Sequence, residues 1–224
     1  MLIPMILPMI YGIKYKRESL LEISIIILVM ILIVITYWPI TIGLNSSANI
    51  ATKFLLFVLV PLFFLYLTFR LRNKQRKEKL GFRFDKFGIS SNGIEKSLKL
   101  GFLFLPLMLL ATYFAKYMID GSFNPDFPLG IVSFVESFTE EFFFRGILFL
   151  FLMSKTNLKI AYLTSLASFI LMHPQNFTNI FIISTIVQGF LTIEICRRSK
   201  NLTGAWLVHG TNRFFSIAII PFLF

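Results

Sequence analysis

Long apolar stretches, each of a length that crosses a lipid bilayer, are the feature that most limits how this chain can fold. A transmembrane helix needs about 20 consecutive apolar residues. Seven such stretches occur, at residues 20–37, 51–69, 98–118, 130–153, 158–173, 177–196 and 203–224. They are continuous rather than alternating, which disfavours the strands of a β-barrel. The sequence therefore predicts an all-α, polytopic integral membrane protein with about seven transmembrane helices.

The basic residues alternate from one connection to the next. The net charge of the 224 residues is +11. Lys and Arg cluster before the first stretch and in the connections 2–3, 4–5 and 6–7, whereas the other connections hold little beyond Lys53 and a Lys116 balanced by Asp120 and Asp126. This positive-inside pattern places the N-terminus in the cytoplasm. The charge therefore indicates topology and contact with anionic lipid head groups, and it does not indicate a nucleic-acid partner.

One polar segment, at 70–99, divides the chain. We expect residues 1–97 to form an N-terminal helix pair with a basic cytoplasmic loop, and residues 98–224 to form a helical core. Residues 1–13 are apolar but too short to span, so they form either an interfacial segment or additional turns leading into the first helix. The single cysteine, Cys196, excludes an internal disulfide and a cysteine-based metal cage. The oligomeric state is left open.

The fourth stretch contains charges where lipid penalises them. A charge at the bilayer centre costs roughly 2.5–3.5 kcal/mol on translocon scales, so Glu140, Glu141 and Arg145 point to function. Glu136 and Glu140 are four residues apart and share a helix face, as do Glu141 and Arg145, which can pair. Glu140 lies about 100° round the helix from Glu141. An unpaired carboxylate in an apolar site suits a general base. The alternative is a buried ion pair beside a glutamate that faces a neighbouring helix.

Both histidines of the chain lie in predicted spans. His173 ends the fifth span, and Pro174 stops the helix after it. His209 lies in the seventh. Two histidines together with a Glu-Glu pair can activate a water, bind a metal or stabilise an oxyanion. An intramembrane catalytic site is therefore the leading interpretation.

These motifs resemble a known family. Glu140-Glu141-x-x-x-Arg145, then Phe169-x-x-x-His173, then His209 followed by an asparagine is similar to the CPBP (Abi) family, over roughly 98–224. That family comprises type II CAAX prenyl endopeptidases and bacteriocin-processing or bacteriocin-immunity proteins. The resemblance implies a CPBP-like catalytic core and an intramembrane endopeptidase that acts on a membrane-associated or lipidated peptide or protein.

The resemblance also implies roles for the residues. Glu140 and His173 would polarise a water, Glu141 and Arg145 would hold the geometry or contact substrate, and His209 with Asn212 would stabilise the oxyanion. A glutamate-activated water without metal and a bound zinc are both open; for zinc, the ligands would be Glu140, His173 and His209. The Phe-rich, Lys-biased composition favours a bacterial plasma membrane.

The chain departs from the family pattern at one position. Arg213 stands four residues after His209, where the pattern has Asn or Asp, while Asn212 stands three residues after it. Both positions are helically adjacent to His209. Counting ~1.5 Å per residue from the cytoplasmic helix ends, Glu140 and His173 lie ~20 Å deep but His209 only ~9 Å deep. Straight parallel helices would therefore keep His209 apart from the other two, but tilt, a kink near Gly146 or an earlier start of the seventh helix would close the gap. We expect Glu140, Glu141, Arg145, His173 and His209 to converge on one cavity.

Two other functions are weighed against catalysis. A non-catalytic immunity or scaffold protein would use the same pocket to bind a peptide or partner. A transporter would relay protons through buried Glu and His, with Gln188 and Glu194 on the path. No inverted repeat supports transport. The substrate and the cleavage position do not follow from the sequence.

Overall fold

The described part of the protein consists of helices and the short turns that connect them. The computed structural model describes residues 1–41, 46–76, 82–119 and 124–223. Within these ranges the elements are α1 (Ile6–Tyr15), α2 (Leu20–Thr41), α3 (Ser46–Phe54), α4 (Val60–Arg76), α5 (Ile94–Tyr117), α6 (Phe127–Glu141), α7 (Leu152–Lys155), α8 (Leu158–Leu171), α9 (Phe181–Ser199) and α10 (Thr203–Phe214), together with π-helical segments at Leu55–Leu59, Phe142–Phe151 and Phe215–Ile219 and short 3-10 turns. The predicted all-α class is confirmed for these ranges. The basic residues predicted at 77–81, and Asp120, lie outside them.

Three helical segments are long and apolar enough to cross a bilayer. They are Arg17–Thr36, Ala48–Leu71 and Ile94–Tyr117, whereas α8 is apolar but shorter. Helical membrane character is therefore confirmed in the described part of the chain. The count of seven spans, the cytoplasmic N-terminus and the division at residue 97 stay predictions.

The N-terminal segment forms a helix of its own. Lys16 adopts a non-helical backbone (φ −143°, ψ 62°) that separates α1 from the helix after it. The backbone carbonyls of Met1 and Pro4 accept hydrogen bonds from Ser168 and Thr164 of α8, each at 3.3 Å. The expectation of additional turns leading into the first span is therefore wrong, because this segment packs separately on α8.

The fourth apolar stretch forms one continuous helix that changes from α-helical to π-helical and back to α-helical along its length. Asp126 caps its start by accepting a hydrogen bond from the Leu129 backbone N–H at 2.8 Å. The π-helical segment Phe142–Phe151 follows directly after Glu141, and all ten of its residues are buried. Such segments are frequent at functional sites. Here the π-helical segment begins at Phe142, immediately after Glu141, and it contains Arg145.

Glycines allow α10 to approach its two neighbours closely. A Cβ on Gly204 would lie 1.9 Å from the Ser97 carbonyl oxygen of α5, so only glycine fits there. A Cβ on Gly210 would lie 2.8 Å from the ring of Phe134 on α6. Because Gly210 follows His209, this contact brings His209 against the helix that carries the glutamates.

Candidate active site

A cavity of about 370 Å³ lies among α3, α6, α8, α9 and α10. Its wall holds one carboxylate, Glu140, together with both histidines of the chain, Asn212 and Arg213. Polar side chains from helices far apart in sequence therefore share one space. Of the five groups expected to converge on one cavity, Glu140, His173 and His209 line it, whereas Glu141 and Arg145 are not among its lining residues.

The two imidazoles face the same oxygen of Glu140. Nε2 of His173 lies 3.7 Å from Oε2 of Glu140, and Nε2 of His209 lies 3.8 Å from it. This oxygen is buried and accepts no hydrogen bond from the described residues, and Glu140 as a whole is 2% exposed. The arrangement leaves one carboxylate oxygen between two imidazole nitrogens, at a distance that one small group can bridge.

His173 lies just beyond the helix that the sequence assigned to it. α8 ends at Leu171, and Pro174 begins a short 3-10 turn. Nδ1 of His173 lies 2.9 Å from the carbonyl oxygen of Phe169, which can only accept. The Nδ1 atom therefore carries the proton, and in the neutral ring Nε2 offers a lone pair toward Glu140.

Glu141, which is paired with Arg145, holds the His209 ring through its Nδ1 atom and leaves Nε2 facing Glu140. Nδ1 of His209 lies 2.7 Å from Oε1 of Glu141, and Nε of Arg145 lies 3.2 Å from Oε2 of the same carboxylate. Arg145 also donates to the Thr192 hydroxyl at 2.8 Å, and its guanidinium lies 4.1 Å from the centre of the Phe169 ring. Both Glu141 and Arg145 are fully buried. The predicted ion pair is therefore present, and it anchors the imidazole.

Glu140 is not the unpaired carboxylate that the sequence suggested. Its Oε1 lies 2.6 Å from Nζ of Lys53 and 3.3 Å from the guanidinium of Arg213. Both cations also contact Glu136. The sequence pattern assigned Lys53 to the non-cytoplasmic connection after the first span. In the structure it lies in the last turn of α3 and is 5% exposed. A buried charge needs partners, and Lys53 finds two carboxylates.

Asn212 and Arg213 both line the cavity, with different partners. Nδ2 of Asn212 donates to Oε1 of Gln188 on α9 at 2.9 Å, while Oδ1 is buried without a hydrogen bond from the described residues. The Arg213 guanidinium instead donates hydrogen bonds to the carboxylates of Glu136 and Glu140. Asn212 therefore occupies the predicted site, and the arginine at the departing position joins the carboxylate cluster.

His209 approaches Glu140 although a count along straight parallel helices sets the two residues at different depths. In the structure α10 is pinned to α5 through Gly204 and to α6 through Gly210, and Trp206 donates from its indole to the Phe134 carbonyl at 3.0 Å. These contacts, which no count along one helix contains, set the position of His209.

The three predicted zinc ligands come together without the geometry of a metal site. Among the described residues, no group of three or more His, Cys, Asp or Glu side chains is placed to hold a metal ion. Zinc lies about 2.0–2.2 Å from its nitrogen and oxygen ligands, and two cations already neutralise Glu140. The donor set as arranged does not fit zinc, so we derive no step through a metal.

Lys53, Glu136 and Thr192 complete the site, and sequence reasoning gave them no role. Lys53 had one available signal, because a lone cation at the edge of an apolar stretch requires a partner. Thr192 had none, since a threonine in an apolar helix is usually unremarkable. Its contact with Arg145 depends on how α9 packs on the π-helical segment.

Comparison with known proteins identifies part of the chain. Residues 123–215 match the family model described as type II CAAX prenyl endopeptidase Rce1-like. The chain matches no curated protein and no solved structure. The matched range contains the Glu140–Glu141 pair, Arg145 and both histidines. The resemblance of the motifs to this family is therefore confirmed. Residues 123–215 are therefore similar to the Rce1-like type II CAAX prenyl endopeptidases, a family of proteases.

Proposed function

We propose that this protein is an intramembrane endopeptidase that hydrolyses a peptide bond of a membrane-associated or lipidated peptide or protein. The observation that carries the proposal is the approach of both histidine Nε2 atoms to one buried oxygen of Glu140 in the wall of a polar cavity. The family match adds protease character from an independent source. We place the protein in the cell membrane, as a bacterial plasma-membrane protein.

Glu140 and His173 are suited to activate a water. Oε2 of Glu140 accepts, and so does Nε2 of a neutral His173. A water has two protons to donate, so one molecule between these atoms satisfies both and turns a lone pair toward the substrate. As its oxygen attacks the carbonyl carbon of the peptide, Glu140 takes one proton.

His209 and Asn212 are suited to receive the negative charge that develops on the carbonyl oxygen. Because Nδ1 of His209 donates to Glu141, its Nε2 can donate as well when the ring is an imidazolium. The Asn212 amide lies on the same wall. Collapse of the tetrahedral intermediate breaks the C–N bond, and Glu140 returns its proton to the leaving amine. The products are a carboxylic acid and an amine.

The test is cleavage of peptide substrates by purified protein in detergent or lipid. We expect Glu140→Gln and His173→Ala to abolish cleavage in protein that still elutes as a folded species. His173→Ala should unfold like the wild type, whereas Glu140→Gln should be less stable because it leaves one cation of a buried cluster without its carboxylate. Glu95→Gln changes an exposed carboxylate and serves as the matched control. Full cleavage by both site variants would overturn the proposal. Biological activity that persists in the uncleaving variants would favour a binding role for the same pocket.

A further inference from the structure

We propose that Lys53 is a positioning residue for the hydrolysis proposed above: it holds one oxygen of Glu140 so that the other oxygen faces the two histidines. The inference rests on the proposed function for its kinetic consequence, but the geometry stands by itself. Lys53 lies on α3, outside the segment 123–215 that the family match covers. The part of the chain before that segment would therefore complete the site.

The two oxygens of Glu140 have separate environments. Oε1 receives the Lys53 ammonium at 2.6 Å and the Arg213 guanidinium at 3.3 Å, whereas Oε2 faces the two imidazoles. The terminal torsion of a glutamate is broad, so a free carboxylate would exchange its oxygens and tilt. A cation on one oxygen restricts that motion and fixes the direction of the other.

Lys53 is better placed for this task than Arg213. The Lys53 side chain is 6% exposed and sits between Glu136 and Glu140. The Arg213 side chain is 28% exposed, and its guanidinium donates hydrogen bonds to three groups: Glu136, Glu140 and the hydroxyl of Ser133. The shorter, more buried contact is the one that holds Glu140.

Among the described residues, the charges of this cluster also balance. Lys53 and Arg213 are two cations, and Glu136 and Glu140 are two carboxylates. Loss of Lys53 alone leaves one uncompensated negative charge in a buried site, which by itself can impair folding. A variant that removes one charge of each sign separates this effect from positioning.

The kinetic experiment compares Lys53→Met with Lys53→Arg. We expect Lys53→Met to lower kcat on the order of 10–100-fold, the cost of a misplaced reacting group, with KM unchanged. Lys53→Arg keeps the cation and recovers most of kcat. Lys99→Met is the matched control, because it breaks a Lys–Glu pair of 2.6 Å that is exposed, and it leaves kcat unchanged.

The double variant Lys53→Met/Glu136→Gln keeps the cluster neutral, with Arg213 facing Glu140. We expect it to fold like the wild type and to keep the low kcat. Wild-type kcat in this variant would show that Lys53 only balances charge, and it would overturn the proposal. Unchanged kcat in a folded Lys53→Met variant would do the same.

A second readout does not depend on cleavage. The chain has two histidines, so ¹⁵N-histidine NMR reports on His173 and His209 directly. We expect Lys53→Met to move the Nε2 resonances of both rings, and Lys53→Arg and Lys99→Met to leave them in place. Moved resonances in a protein that cleaves no peptide would retain the positioning role and reject the hydrolytic function. Unmoved resonances in Lys53→Met would overturn the positioning role.

Discussion

Nδ1 of His209 lies 2.7 Å from Oε1 of Glu141, and this carboxylate also faces the buried guanidinium of Arg145. The second glutamate of the pair therefore has a different task from the first. Glu140 presents an oxygen to the cavity, whereas Glu141 fixes the tautomer and the direction of an imidazole. This division resembles the carboxylate–imidazole pairing of known hydrolases, in which the carboxylate orients the ring and does not itself react.

Replacing Glu141 by Gln tests this orienting role. The amide is nearly isosteric but lacks the carboxylate charge that holds the His209 ring through its Nδ1 atom. We expect kcat to fall on the order of 100–1,000-fold, comparable to the loss of one oxyanion-stabilising group. Steady-state kinetics on a cleaved peptide would measure it. Cleavage at the wild-type rate would show that Glu141 has no part in orienting His209.

Arg145 is expected to matter for stability before it matters for catalysis. Arg145→Met leaves Glu141 as a buried carboxylate without its guanidinium partner, and breaking such a pair costs about 3–5 kcal/mol. Unfolding in lipid or detergent micelles would show the loss. Arg83→Met, at an arginine whose side chain is 69% exposed, serves as the control and should leave the unfolding curve unchanged. Equal stability of the two variants would contradict the role given to Arg145.

The two glycines of α10 should respond differently to alanine. At Gly204 the added Cβ meets the Ser97 backbone, which cannot turn aside, whereas at Gly210 it meets the ring of Phe134, which can. We expect Gly204→Ala to lose about 1–3 kcal/mol of stability through overpacking. Gly210→Ala should fold better than Gly204→Ala yet cleave more slowly than the wild type, because it displaces His209. The reverse order of stability would contradict the close approach of α10 to α5.

Asn212 and Gln188 should act as one unit. Gln188 accepts from the Asn212 amide at 2.9 Å and so sets its direction. We expect Asn212→Ala to lower kcat, Gln188→Met to lower it less, and the double variant to be no slower than Asn212→Ala alone. A double-mutant cycle measures this coupling. Strictly additive losses would mean that Gln188 does not act through Asn212.

Much of the site follows from the chemistry of single segments. Carboxylates and an arginine inside a bilayer-length apolar stretch indicate function because lipid penalises charge. The Glu141–Arg145 pair follows from the four-residue spacing, and it persists although Arg145 lies in a π-helical segment. Pro174 after His173 correctly predicts the end of α8, within two residues. These features are local, so the sequence contains them.

The sequence by itself determined the helical membrane class, the charged pair in the fourth stretch and the residues of the motifs that resemble the family. Only the tertiary structure decided which oxygen of Glu140 faces the histidines and which cations neutralise it. Lys53 reaches Glu140 across 87 residues, and α10 approaches α5 and α6 through glycines whose neighbours no motif names. The physical reason is that pairing of buried charges and close approach of helices depend on contacts between segments, and spacing along one helix does not encode them.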